Sequence, residues 1–156
     1  MRRGLLILIF LCIYILVGCS EEKLPSIKQQ QSFIASMNIL EPSLSFFDES
    51  GDPIAKWAFD KEYTGALLIQ HDRVLLYGHK LADADIYELS TGKLLTSIQT
   101  GLGSTNAYYD SEYQRIFITN SETNSVLSYD QQGNKIGETP IGNYPMSMAS
   151  NDGLLY

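Results

Sequence analysis

A repeat of 41 residues constrains this chain more than any other feature of its sequence. Glycines at 51, 92 and 133 each end a turn-like tetrapeptide, and 41 residues separate one glycine from the next. The same offset, without a gap, aligns two sets of apolar residues across three copies: Ile34, Leu75 and Ile116, then Ile54, Leu95 and Ile136. A register kept through three copies indicates stacked repeats of one structural unit.

The residues inside each copy predict β-structure. Short runs rich in Val, Ile, Tyr, Phe and Thr alternate with Gly, Asn, Asp and Ser, and no long window keeps the apolar spacing of a helix. Four short strands in about 40 residues is the size of one propeller blade. We therefore predict an all-β fold, a β-propeller of four-stranded antiparallel blades.

The strand pattern sets the boundaries of the blades. A partial blade covers 33–59, two whole blades cover 64–99 and 105–141, and another blade starts at 146–156. The predicted strands of the whole blades lie near 64–69, 73–78, 85–89 and 93–98, and near 105–109, 115–119, 125–129 and 135–139. In the partial blade they lie near 33–37, 44–48 and 54–59, and a further strand is predicted near 146–150.

The third copy carries a family resemblance. Phe117-Ile118-Thr119-Asn120, Gly133-Asn134-Lys135 and Ile141-Gly142-Asn143-Tyr144-Pro145 resemble the YVTN-type β-propeller repeat, with phenylalanine and isoleucine in place of the first tyrosine and valine. The resemblance implies a ring of about four to eight blades. We therefore expect this chain to be the N-terminal part of a longer propeller lipoprotein, the alternative being a ring assembled from several chains.

The first eighteen residues have the pattern of a secretory signal. Met1-Arg2-Arg3 precedes thirteen uncharged, mainly apolar residues, Leu5 to Val17, and then Gly18. Thirteen residues at ~1.5 Å each extend about 20 Å in a helix, whereas a spanning helix must cross ~30 Å of hydrocarbon. We predict a signal peptide at 1–18 rather than a permanent transmembrane helix.

Leu16-Val17-Gly18-Cys19 resembles the lipobox of bacterial lipoproteins. The resemblance implies that Cys19 is lipidated and becomes the mature N-terminus, followed by a flexible tether over 19–32. It also implies a location in the bacterial cell envelope, anchored to a membrane and exposed outside the cytoplasm. The alternative is that Cys19 is only a small residue near an ordinary cleavage site.

Charge and composition limit the classes of partner and of chemistry that this chain can be expected to have. Eleven Lys and Arg against eighteen Asp and Glu give a net charge of −7, and no basic cluster suits a phosphate backbone, so nucleic acid is not an expected partner. The only histidines, His71 and His79, lack metal-ligand spacing, and no phosphate loop or dinucleotide fingerprint occurs. We predict no catalytic residue, no metal site and no cofactor.

Candidate binding residues follow from the blade topology. The loops after the second and fourth strands of each blade emerge on one rim. The hairpin turns emerge on the other rim and contain the glycines and polar residues that a tight turn requires. The candidates are Asp83, Asp85, Asn120, Glu122, Asn124 and Tyr144, with Asp83 and Asp85 expected in a loop. The alternative is that Asn120 and Asn124 only cap their own loop.

These features predict a membrane-anchored binding or scaffold module. The membrane is contacted through the lipid, and the other partner is an unknown protein or small-molecule ligand. The alternative is the N-terminal part of a propeller enzyme, lactonase-like or quinoprotein-like, with its catalytic residues in further blades.

Lipidation gives a direct test of this location. The wild-type chain should incorporate labelled fatty acid and partition into detergent, and Cys19→Ala should abolish both, because the thiol is the acceptor. Continued labelling of the variant, or no labelling of the wild type, would contradict the lipobox interpretation.

Overall fold

Thirteen strands make up the regular structure of the protein in a computed structural model that describes residues 23–28, 32–70, 72–151 and 154–156. The predicted signal peptide and Cys19 lie outside these ranges. Within them, no helix is long and apolar enough to span a membrane. The strands are β1 (Ile34–Asn38), β2 (Ser43–Phe47), β3 (Pro53–Ala58), β4 (Gly65–Ile69), β5 (Arg73–Tyr77), β6 (Asp83–Glu88), β7 (Lys93–Gln99), β8 (Ser104–Asp110), β9 (Arg115–Asn120), β10 (Ser125–Asp130), β11 (Lys135–Pro140), β12 (Ser150–Asn151) and β13 (Leu154–Leu155).

The strands form three larger antiparallel sheets and one two-stranded sheet, in chain order. The first sheet is β1-β2-β3, the second is β4-β5-β6-β7, the third is β8-β9-β10-β11, and β12 pairs with β13. The predicted strands of the two whole blades match the observed ones to within two residues at each end. The all-β prediction is confirmed for the described residues.

The predicted strand at 146–150 is wrong, because only Ser150 and Asn151 of that region pair in a sheet. Before them the chain runs beside β8 through side-chain contacts. The hydroxyl of Thr105 donates to the Pro145 carbonyl at 2.6 Å, and the Asn106 amide donates to the Met146 carbonyl at 3.2 Å. Side-chain donors therefore occupy the carbonyls that a ladder would use.

The middle sheet is buried on both faces. Leu75 of β5 and Ile86 of β6 belong to a core shared with Ile116 and Ile118 of the third sheet. Leu76, the next residue along β5, belongs to a second core shared with the first sheet. Successive side chains of a strand point to opposite faces, so neighbouring residues join different cores and the three sheets stack face to face.

The tether prediction must be corrected for residues 24–27, which pack against the sheets. The Ile27 side chain is 1% exposed and lies in the core between the first and second sheets. The Ile27 amide donates to the Leu89 carbonyl at 2.8 Å, and the Trp57 indole nitrogen donates to the Pro25 carbonyl at 2.7 Å. A buried apolar side chain and two hydrogen bonds hold a segment whose composition alone suggested a flexible linker.

Burial on both faces predicts an unusual mutational pattern in β5. Leu75→Ala and Leu76→Ala should each lower the free energy of unfolding by about 2–5 kcal/mol, because each removes a buried side chain from a different core. Leu68→Ala serves as the control, because Leu68 is 47% exposed. Urea unfolding measures all three, and a large loss for only one of the two β5 variants would contradict the stacking.

Candidate functional site

Loops from the second and third sheets meet at one end of the stack, which we call the loop rim. The Gly103 amide donates to the His79 carbonyl at 2.7 Å, and the Ser121 amide donates to the Gly103 carbonyl at 2.8 Å. The Ile141 amide then donates to the Asn124 carbonyl at 2.9 Å. Backbone hydrogen bonds thus join the segments 78–82, 100–103, 121–124 and 141–145 into one surface. We include the connection 39–42 of the first sheet in the loop rim, because the 41-residue offset aligns it with 80–83.

The hairpin turns form the opposite end, which we call the turn rim, with segments 48–52, 89–92, 111–114 and 131–134. Its polar side chains serve the turns themselves. Asp48 accepts from the amides of Ser50 and Asp52, both at 2.9 Å, and Asp130 accepts from the Gln132 and Asn134 amides at 2.9 and 2.8 Å. The same carboxylate cap therefore recurs in corresponding turns of the first and third sheets.

Asn120 and Asn124 stabilise the loop rim from within. Asn120 is fully buried, donates to the Thr100 carbonyl at 2.9 Å and accepts from the Glu122 amide at 2.9 Å. Asn124 has a left-handed backbone, with φ of 51°, and its side-chain oxygen accepts from the Tyr144 amide at 2.8 Å. Both asparagines cap loops, and the buried Asn120 is out of reach of a ligand on the surface.

Three of the predicted binding residues remain on the surface of the loop rim. Glu122 is exposed, and Tyr144 is 59% exposed. Asp83 is half-buried at the start of β6 and accepts a hydrogen bond from the side-chain nitrogen of Gln99 at 2.9 Å. The candidate binding residues left at the surface are therefore Asp83, Glu122 and Tyr144.

Asp83 and Asp85 both lie in β6, so the predicted loop placement is wrong for both. Asp85 is also buried. It lies in β6, paired with Leu76 of β5 and Ser97 of β7. Its carboxylate accepts hydrogen bonds from Lys61 at 2.5 Å, from the Tyr63 hydroxyl and from the Ser97 hydroxyl. Asp85 therefore fastens the linker between the first two sheets to the second sheet.

The cluster around Asp85 has a defined ionisation state. Burial by itself would raise the pKa of Asp85, but the hydrogen bonds from Lys61, Ser97 and Tyr63 outweigh burial and lower that pKa. Burial and the hydrogen bond to Asp85 raise the pKa of Tyr63, which keeps its hydroxyl protonated as a donor. The arrangement is a structural ion pair with its polar atoms satisfied.

A histidine–serine pair on the loop rim was not predicted, because the two residues are far apart in sequence. His79 Nε2 lies 3.2 Å from the Ser121 hydroxyl oxygen. That hydroxyl donates to the Gly103 carbonyl, also at 3.2 Å, so its proton is already held by the backbone. Among the described residues, no three His, Cys, Asp or Glu side chains form a cluster that could hold a metal ion.

An open pocket of about 420 Å³ lies on the face of the third sheet that points away from the second sheet. The end of the described chain forms its other wall. The lining is largely apolar and consists of Phe117, Thr119, Val126, Ser128, Thr139, Ile141, Ser147, Met148, Leu155 and Tyr156. Such a face suits the packing of another sheet better than the binding of a polar metabolite.

Comparisons with known proteins show similarity in fold. No family model matches the chain, and no curated protein matches it in sequence. A hydrazine synthase structure from Kuenenia stuttgartiensis superposes with a TM-score of 0.64 at 11% identity, over 82% of this chain and 40% of that one. A functionally unknown protein from Desulfotomaculum acetoxidans gives 0.61 at 12% identity, over 71% of this chain and 37% of that one.

The computationally designed Ika8 protein gives a TM-score of 0.64 at 12% identity, over 85% of this chain and 40% of that one. This chain thus spans 40% or less of the length of these three structures. At such identities the likeness concerns the arrangement of strands and carries no activity.

The Asp85 cluster predicts a specific pH dependence. Because the pKa of Asp85 is lower in the folded chain than in the unfolded chain, its stabilising effect is present above the unfolded pKa and is lost as the pH falls through the folded pKa. Asp85→Asn should cost about 1–3 kcal/mol at neutral pH. It should also flatten the loss of stability on acidification.

Urea unfolding at several pH values measures both effects, with Asp83→Asn as the matched control because Asp83 is only half-buried. An acid-induced loss of stability that is unchanged in Asp85→Asn would contradict the role of this carboxylate.

Proposed function

We propose that this chain belongs to a lipid-anchored, extracytoplasmic β-propeller of the YVTN type that acts as a binding or scaffold module. The loop rim carries the proposal, because backbone hydrogen bonds hold its successive loops in one arrangement. A surface that is ordered before binding loses less entropy when a partner docks. The lipobox-like sequence at Cys19 supports the membrane location.

The propeller architecture rests on the repeat and on the stacking of the sheets. Each copy of the 41-residue unit supplies one sheet, and the middle sheet packs against a neighbour on each face, as a blade does in a ring. The open apolar pocket on the third sheet suits one more blade. We propose that further blades, in the same protein or from another chain, complete the ring.

The proposed partner docks on the loop rim and is a protein or a small molecule. Asp83 and Glu122 favour a ligand with positive charge or with hydrogen-bond donors, and Tyr144 offers an aromatic face. Aromatic residues of this kind are enriched where proteins meet their partners.

Site-specific photocrosslinking in bacterial cells tests a protein partner. A photoreactive benzoylphenylalanine replaces Tyr144 on the loop rim or Tyr113 on the turn rim, which are 59% and 54% exposed. Position 144 should yield a crosslinked product that position 113 does not. The same product from both positions, or none from position 144, would contradict a protein partner at this rim.

Charge reversal tests the role of the carboxylates. Glu122→Lys should weaken the crosslink at position 144 several-fold by repelling a cationic partner surface, whereas Glu112→Lys, on an exposed residue of the turn rim, should leave it unchanged. Equal effects of the two substitutions would show that the loop rim has no special role.

A further inference from the structure

The segment Leu24 to Ile27 joins the folded body at the turn rim. The Leu24 carbonyl packs directly on Gly92, where a side-chain carbon would clash with it. Gly92 also has a positive φ of 68°, as the turn requires. Close by, the Ile27 amide binds the Leu89 carbonyl. The chain that comes from Cys19 therefore meets the body at the turn 89–92.

The distance from Cys19 to this contact is limited by covalent geometry. Only five residues lead from Cys19 to Leu24. A fully extended chain spans at most about 3.6 Å per residue, so the connection from Cys19 to Leu24 reaches no more than about 18 Å. Because residues 24–27 dock on the sheets, this connection is much shorter than the flexible segment 19–32 that the sequence suggested.

The height of the sheets exceeds the length of this connection. Strand β7 joins the turn 89–92 to the loop 100–103 and has seven residues, and its six steps of about 3.3 Å extend about 20 Å from one rim to the other. If the loop rim faced the membrane, Leu24 would stand at least this far above the lipid surface. The connection from Cys19 to Leu24 reaches only about 18 Å and cannot cover that height. It is long enough to place the turn rim against the lipid.

We propose that the turn rim faces the phospholipid bilayer and that the loop rim points away from it. The inference rests on the proposed lipidation of Cys19, and it adds an orientation that lipidation alone would not give. The bilayer surface is the partner of the turn rim. The loop rim is held about 20 Å further out, where a partner can reach it.

Fluorescence quenching on vesicles tests the orientation of the full chain. Single cysteines replace Glu49 on the turn rim or Leu40 on the loop rim, two exposed residues in connections of the same sheet. Each variant is produced in bacteria and labelled with nitrobenzoxadiazole, since lipidation leaves the new thiol as the one that can react. It is then reconstituted into phosphatidylethanolamine–phosphatidylglycerol vesicles carrying nitroxide on the lipid headgroup.

The label at position 49 should lose most of its fluorescence to the nitroxide, and the label at position 40 should lose little, because nitroxide quenching acts over short distances. Insertion of about twenty Gly and Ser residues between Ser20 and Glu21 provides the control, since that contour length exceeds the height of the sheets. It should remove the difference between the labels while leaving fatty-acid incorporation intact.

Fatty-acid labelling of the same samples separates the two ways in which the proposal can fail. Equal quenching at both positions in a lipidated chain, or stronger quenching at position 40, would overturn the orientation and leave the proposed membrane anchor intact. A chain that incorporates no fatty acid would overturn the anchor, and the orientation with it.

Discussion

The burial of the second sheet on both of its faces is the interaction on which the rest of this structure depends. Leu75 and Leu76 are neighbours in β5, are both fully buried and belong to two different cores. A sheet with one solvent-exposed face would need only every second residue of its strands to be apolar. Because both faces are covered, the first and third sheets pack against it from opposite sides.

The repeat made most of this arrangement predictable. Strand positions follow from local alternation and from turn residues, and the 41-residue offset carries each assignment from one copy to the next. Asn120 shows a limit of this reasoning, since a loop asparagine can face a ligand or cap its own loop, and only the neighbouring Thr100 carbonyl decides. The sequence is compatible with both alternatives, and the structure places Asn120 as a cap.

Asp85 and Ile27 show why the remainder could not be predicted. Asp85 binds Lys61 and Tyr63, which lie more than twenty residues away in a linker without recognisable pattern. Ile27 sits in a polar stretch, and its burial depends on a gap between two sheets that no local rule describes. In both cases a tertiary contact between distant segments overrides the local composition. The local sequence carries no signal of such contacts.

Amide hydrogen exchange of the purified chain tests the central claim most directly. Stacking should protect the backbone amides of the middle sheet against exchange more strongly than those of the outer strands. The account predicts that the amides of β5 and β6 exchange most slowly, since they lie within the sheet that is covered on both faces. The outer strand β11, which is mostly exposed, should exchange much faster. Exchange of β5 as fast as that of β11 would contradict the stacking of three sheets.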